Sequence, residues 1–179
     1  LHYGTGVFEG VRAYSTSNGP AIFRLEDHTK RLFNAADILK IKVPFSQKEL
    51  NDVQKELFTV NDLEEGYIRP IIYLGNESQG LRSTNNSVHV AVAAWEWPSY
   101  MSPEAKINGI SVIKSSHPQF NNPIHSNNKI IGTYVNSTLA LHEAIDKGAD
   151  EAILFDSEGN ISEGSGENIF IVIQDKIYT

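Results

Sequence analysis

The 179-residue chain contains no cysteine. That excludes disulfide stapling, thiol nucleophiles and cysteine-ligated metals, and it fits a reducing cytosol. Long apolar runs are also missing. No stretch is long enough to cross a bilayer as a helix, and there is no signal-peptide pattern. Positive charge is in short supply. Against 22 Asp and Glu stand 15 Lys and Arg, giving a net charge of −7. That balance argues against a general nucleic-acid binder. An anionic substrate would need local cations working against the overall field. Methionine occurs once, at Met101, and residue 1 is leucine, so the chain reads as an internal piece of a longer protein, cut at both ends.

What remains is the composition of an ordinary globular protein. Hydrophobic residues make up 40% and charged residues 21%, enough core for one large domain or two small ones.

Residues 6–14 alternate as a strand does, with Val7, Glu9, Val11 and Ala13 on one face and Phe8, Arg12 and Tyr14 on the other. The turn signal Ser17-Asn18-Gly19-Pro20 returns the chain into a second strand at 21–24, for an opening hairpin. Leu32, Ala35, Ala36 and Leu39 predict a helix over 26–41, closed by Val43-Pro44. Ser46-Gln47-Lys48-Glu49 is a capping box, and it opens a helix with Leu50, Val53 and Leu57 on one side. Strands are expected at 67–74, 88–95 and 109–114. A helix over 133–147 would bury Val135, Leu139, His142 and Ile145 and stop at Gly148. Further strands fall at 151–155, 169–173 and 176–179, with the Gly-rich turn Glu163–Asn168 leading into the second of them. The class is α+β. The aromatic, proline-containing stretch 95–105 reads as a linker between a first domain, 1–94, and the opening of a second, 106–179. The long segment 115–128, with two prolines and two histidines, reads as a loop leading to Lys129.

Lys129 draws attention through its company. Tyr134 follows it closely, and Glu163 lies further on in Ile161-Ser162-Glu163-Gly164-Ser165-Gly166-Glu167-Asn168. A lysine amine can form a Schiff base with a pyridoxal aldehyde. Such a cofactor also needs a cation for its phosphate, an acid for its pyridine nitrogen and a hydroxyl beside its ring oxygen. Lys129, Arg31, Glu163 and Tyr134 are of the required types, although residue type and spacing alone favour a surface lysine and a turn glutamate. Six histidines without a dense acid cluster at ligand spacing give no metal site. Gly164-Ser165-Gly166 lacks both the third glycine and the following helix of a dinucleotide loop.

Five blocks in order along the chain carry a resemblance. They are Leu1-His2-Tyr3-Gly4-Thr5-Gly6-Val7-Phe8-Glu9-Gly10-Val11-Arg12-Ala13-Tyr14, Phe23-Arg24-Leu25 through Arg31-Leu32, Tyr67-Ile68-Arg69-Pro70, Lys129 through Tyr134, and Ile161 through Phe170. Together they resemble the branched-chain amino-acid aminotransferases, class IV, fold-type IV pyridoxal-phosphate enzymes. The resemblance implies a small α/β domain followed by part of a larger pseudo-barrel domain. It implies pyridoxal 5'-phosphate as cofactor, amino and 2-oxo acids as substrates and a homodimer or higher homo-oligomer in the cytoplasm. It implies that Lys129 is the Schiff-base lysine and proton carrier, Glu163 the partner of the pyridine nitrogen, Tyr134 the neighbour of the ring hydroxyl and Arg31 the phosphate arginine. Tyr3, Phe8 and Tyr100 would wall the substrate side-chain pocket, Tyr67 and Arg69 would bind substrate as the Tyr-x-Arg-Pro signature, and Arg69 would accept the distal carboxylate of glutamate or 2-oxoglutarate. The sequence departs from the family pattern at Ile130-Ile131 and Thr133. The second phosphate-binding turn and the loop facing the substrate carboxylate are expected beyond residue 179. The implied activity is transfer of the amino group of leucine, isoleucine or valine to 2-oxoglutarate. Within the same fold the alternatives are a D-amino-acid aminotransferase and an aminodeoxychorismate lyase; outside enzymes, a non-catalytic ligand-binding relative.

Overall fold

The structure, a computed structural model, describes residues 2–179 apart from Thr84, Pro98, Tyr100, Asn121, Pro123, His125 and Ser126. The chain divides into two compact units, Leu1–Tyr100 with Asn127–Gly132, and Met101–Ser126 with Thr133–Thr179.

The first unit is an antiparallel sheet backed by two helices. Its strands are β1 (Gly6–Phe8), β2 (Val11–Tyr14), β3 (Ala21–Ile22), β4 (Gly66–Leu74) and β5 (Val88–Trp95). β4 runs through the middle, with β1 and β2 end to end along one edge and β5 along the other. Phe8 faces Ile71 and Val11 faces Ile68, so the register is the same on both sides of Glu9-Gly10. The alternating segment 6–14 is therefore one strand with a break in its ladder. The break has a chemical cause. Glu9 donates its N–H to the Pro70 carbonyl at 3.0 Å, but proline has no N–H to return. The expected hairpin is present between β2 and β3, where Tyr14 faces Ala21.

Strand alternation gives this sheet two faces. Val7, Val11, Ala13, Ile68 and Ile72 are fully buried on the face toward the helices. Those helices are α1 (Leu25–Ile38) and α2 (Gln47–Val60). α1 buries Leu25, Leu32, Ala35 and Ala36, much as its spacing predicts, but it ends at Ile38 because Lys40 turns left-handed. α2 opens with the expected capping box at Ser46 and Glu49. It buries Leu50, Gln54 and Phe58, while Val53, expected inside, is exposed.

The second unit holds α3 (Pro103–Asn108), β6 (Val112–Lys114), α4 (Tyr134–Asp146), β7 (Glu151–Phe155), β8 (Ile161–Gly164), β9 (Ile171–Ile173) and β10 (Lys176–Tyr178). β6 runs parallel to β7, and β8 antiparallel to it. β9 and β10 form a separate hairpin. Two elements differ from the sequence reading. α3 lies partly inside the stretch expected to be a linker, where Ser102 caps it and Pro103 occupies its first turn. β8 contains Glu163, expected in a turn. The α4 stripe is also corrected. Ala140 and Ala144 are buried against β7, and Val135, Leu139 and Ile145 are exposed.

Candidate active site

Phe8 is the natural starting point, because alternation aims it away from the helices. Its cross-strand partner is Ile71, so Arg69 and Tyr67, two and four positions back on β4, share its face. The Arg69 guanidinium carbon lies 4.7 Å from the Phe8 ring centre and 5.2 Å from that of Tyr67. One of its nitrogens donates to the Tyr67 hydroxyl at 3.0 Å. Its Nε is buried and has no hydrogen-bond partner among the described residues. A buried guanidinium donor without an acceptor is costly unless a ligand supplies one.

The Lys129 segment reaches the same ring by a different route. Phe8 donates its backbone N–H to the Lys129 carbonyl at 3.0 Å, and Val7 bridges to Ile130. Gly132 donates to the Gly4 carbonyl at 3.2 Å. The segment thus lies along the edge of β1 that β4 leaves open. The approach is close: a Cβ on Gly4, whose φ is +64°, would come within 2.6 Å of Gly132 Cα. Docked in this way, Lys129 is half-buried with its amine nitrogen 5.6 Å from the Phe8 ring centre. The sequence division at 94 and 106 puts 127–132 in the later domain, whereas these contacts hold it in the first unit.

Glu9 sits on the opposite face and is only 1% exposed. Helix α1 supplies its partners. Arg31 donates to both carboxylate oxygens, through Nε and through an Nη at 2.7 Å, and His28 Nδ1 lies 2.9 Å from Oε2. Burial pushes the Glu9 carboxyl up, but the hydrogen bonds and charges of His28 and Arg31 outweigh it and hold it below its ordinary value. Arg31 keeps 46% of its side chain exposed. It is therefore oriented from behind by a buried anion while still presenting surface. Sequence reading missed Glu9 as a site residue. The available signal was a carboxylate at a core-facing position of an alternating strand, which requires a cation nearby.

The second unit carries the other candidates. Tyr134 is the first residue of α4 and is half-buried. Glu163 lies on β8 opposite Leu154 of β7, and its carboxylate accepts a hydrogen bond from the Gln119 side-chain amide. Gln119 is itself fixed, since its N–H donates to the Phe155 carbonyl at 2.8 Å. The start of the expected long loop is pinned at Glu143, which accepts from the Ser115 hydroxyl, the Ser116 N–H and Lys147. These bonds, Lys147 foremost, pull the Glu143 carboxyl down to about 2. Glu167 closes the Gly-rich turn by accepting from Gly164 and Gly166.

The structure thus brings Phe8, Tyr67, Arg69 and Lys129 to one place in the first unit, with Arg31 on Glu9 behind the sheet. Tyr3 is 55% exposed near the start of the same unit. Tyr100 and His125 lie outside the described residues. Among the described residues no cluster of His, Asp or Glu could hold a metal, and no helix is long and apolar enough to cross a membrane.

Comparison with known proteins gives this arrangement a context. The amino-transferase class IV family model matches residues 6–179. A branched-chain-amino-acid aminotransferase of Pseudomonas aeruginosa is 51% identical across the whole chain, and one of Escherichia coli K12 is 38% identical. Among solved structures, a T.th. branched-chain amino acid aminotransferase with pyridoxamine 5'-phosphate superposes with a TM-score of 0.93 at 47% identity, over 99% of this chain and 59% of that one. The Escherichia coli enzyme gives 0.93 at 38% identity, over 100% of this chain and 60% of its own. The chain spans 59% of the length of both curated relatives.

Proposed function

The chain belongs to the class IV aminotransferases, and from that premise we propose that the whole protein is a pyridoxal-phosphate-dependent branched-chain amino-acid aminotransferase. Its fold is that of the fold-type IV enzymes. The proposed reaction moves the amino group of leucine, isoleucine or valine to 2-oxoglutarate, reversibly. The observation that carries this reading is one aromatic ring flanked by two nitrogen groups. Phe8 has the Lys129 amine 5.6 Å from its centre and the Arg69 guanidinium carbon 4.7 Å from it. An apolar wall suits a branched side chain. An adjacent cation with an unsatisfied buried Nε suits a distal carboxylate. One pocket with both features can serve the two halves of a transamination.

The donor set fits pyridoxal phosphate in chemical type. When bound, the cofactor supplies an aldehyde for the substrate amine and a ring that withdraws electrons from the α-carbon. Lys129 would hold it covalently through the ε-amine. Once released, the same nitrogen would take the proton from the substrate α-carbon and return it elsewhere. Arg31, oriented by Glu9, would face the phosphate. Glu163, an acceptor already bound to Gln119, would keep a proton on the pyridine nitrogen. Tyr134 would meet the ring hydroxyl. Phe8, Tyr3, Tyr67 and Tyr100 would exclude water around the substrate side chain. In the same proposal residues 1–94 form the small domain together with 127–132, the rest of 106–179 opens the large one, and the protein is a cytoplasmic homodimer.

The test uses full-length protein. Lys129→Ala should abolish L-leucine turnover with 2-oxoglutarate and also the borohydride-trapped adduct that maps to this lysine. Retention of both, or turnover of D-alanine in place of L-leucine, overturns the reading.

A further inference from the structure

Gly10 lies where the matching register on either side of the ladder break sets it opposite Arg69. Its absent side chain would point to the face that carries Phe8, Tyr67 and Arg69. That space is occupied. A Cβ on Gly10 would lie 1.8 Å from the Tyr67 hydroxyl oxygen and 2.7 Å from the carbon bearing it. The backbone does not explain the glycine, because Gly10 is not in the left-handed region. What position 10 supplies is room.

The occupant of that room is the group that fixes Arg69. The Tyr67 hydroxyl accepts from an Arg69 terminal nitrogen at 3.0 Å. The Tyr67 ring is held in turn by Trp95 and Trp97, with ring centres 5.2 and 4.8 Å away. With those two rings beside it, the tip of Tyr67 has little freedom to move sideways. We propose that Gly10 is a specificity-determining position: by leaving space for the Tyr67 hydroxyl it fixes the Arg69 guanidinium in the orientation that receives a distal carboxylate. Gly10 acts through the Tyr67 hydroxyl and Arg69 and is a positioning residue. The inference rests on the reading of Arg69 given above.

A methyl group at position 10 must displace the end of Tyr67, which is the movable partner in the overlap. Arg69 then loses its acceptor and its fixed orientation. A branched aliphatic side chain makes no use of that orientation, whereas a dicarboxylate depends on it. Losses common to both substrates cancel in a ratio.

The experiment compares full-length wild type, Gly10→Ala, Tyr67→Phe and the double variant. For each, kcat/KM is measured for L-glutamate and L-leucine, and calorimetry gives the dissociation constants of glutarate and 4-methylvalerate. In each single variant the preference for the acidic over the branched ligand should fall about tenfold, the scale of one hydrogen bond to a charged group. The double variant should match Tyr67→Phe within about twofold, since the hydroxyl that Gly10 accommodates is already gone. Equal losses for both ligands, or losses that multiply in the double variant, would mean that Gly10 serves packing alone and would overturn the proposal. Should Gly10→Ala not fold, an unchanged ratio in Tyr67→Phe overturns it by itself. Arg69→Ala separates the two levels. If it leaves the ratio intact, the reading of Arg69 fails and this inference falls with it. If it lowers the ratio and the other variants do not, only this inference fails.

Discussion

Glu9 shows how one residue can be core and site support together. Its carboxylate is buried on the apolar face of a strand, and Arg31 and His28, three positions apart on α1, come to it as neighbours on one helix side. Replacing it with glutamine removes the charge and leaves a cation facing a neutral amide. With Arg31 nearly half exposed, solvent screens much of the loss. The expected cost at pH 7 is about 1–2 kcal/mol. The direction with pH follows from the lowered carboxyl. A depressed folded-state pKa contributes stability that is present above the unfolded value near 4.5 and lost as pH falls through the folded value. The gap between wild type and Glu9→Gln should therefore shrink on acidification below about pH 4.5. Urea unfolding at about pH 7 and about pH 3 checks this, and a gap that widens in acid contradicts it. Alternation in residues 6–14 made the inward direction of Glu9 legible. It could not name Arg31 as the partner, because that pairing depends on how α1 crosses the sheet.

At the scale of elements, the segment 127–132 behaves as a short extra strand on the free edge of β1. Gly4 makes this docking possible twice over, through a φ of +64° and through its contact with the Gly132 backbone. Gly4→Ala would add strain at positive φ and push a methyl against backbone that has no flexible end to yield. A cost of about 2 kcal/mol is expected. A chemical-denaturation midpoint measures the cost. Amide exchange at Phe8 and Gly132, whose N–H groups make the docking bonds, should accelerate with it. An unchanged exchange rate at both would show that the segment is held by something else. This docking was hidden from the sequence, since 129 and 8 are far apart in the chain and an isolated bridge has no periodic signature. β8 was hidden for a related reason. Glu163-Gly164-Ser165-Gly166 has the composition of a turn, and only pairing with β7 makes its beginning a strand. Helix α4 misled in the other direction. Its large apolar residues suggested the buried stripe, but two alanines face β7 because small side chains let the helix approach the strand closely.

Across the whole molecule, apolar burial is unevenly shared between the two units. The first unit buries Val7, Leu32, Leu50, Ile72, Leu74 and Ile130 in one cluster and Val11, Leu25, Phe58 and Ile68 in another. The second unit's cluster is Ala140, Ala144, Ala152 and Leu154, with Ile113 and Ala149 against it. Three alanines and a leucine remove far less apolar surface from water than that set of valines, leucines and isoleucines. Val135, Ile145, Phe170, Val172 and Ile177 of the same unit stay exposed. Opening free energies follow local burial, so the two units should open separately in the 179-residue chain. Amides of Ala152 and Leu154 on β7 should exchange at least about tenfold faster than those of Ile68 and Ile72 on β4, a difference of about 1.4 kcal/mol. The four residues are fully buried, with Ala152 donating to the Glu151 carboxylate and the others in paired strands, so differing solvent access in the folded state does not account for the contrast. Residue-resolved exchange on the chain, repeated on full-length protein, gives the comparison. If additional chain covers the exposed apolar residues of the second unit, the difference narrows in the longer protein. Equal protection of β4 and β7 in the 179-residue chain would show that the small cluster opens only with the large ones, as one cooperative unit.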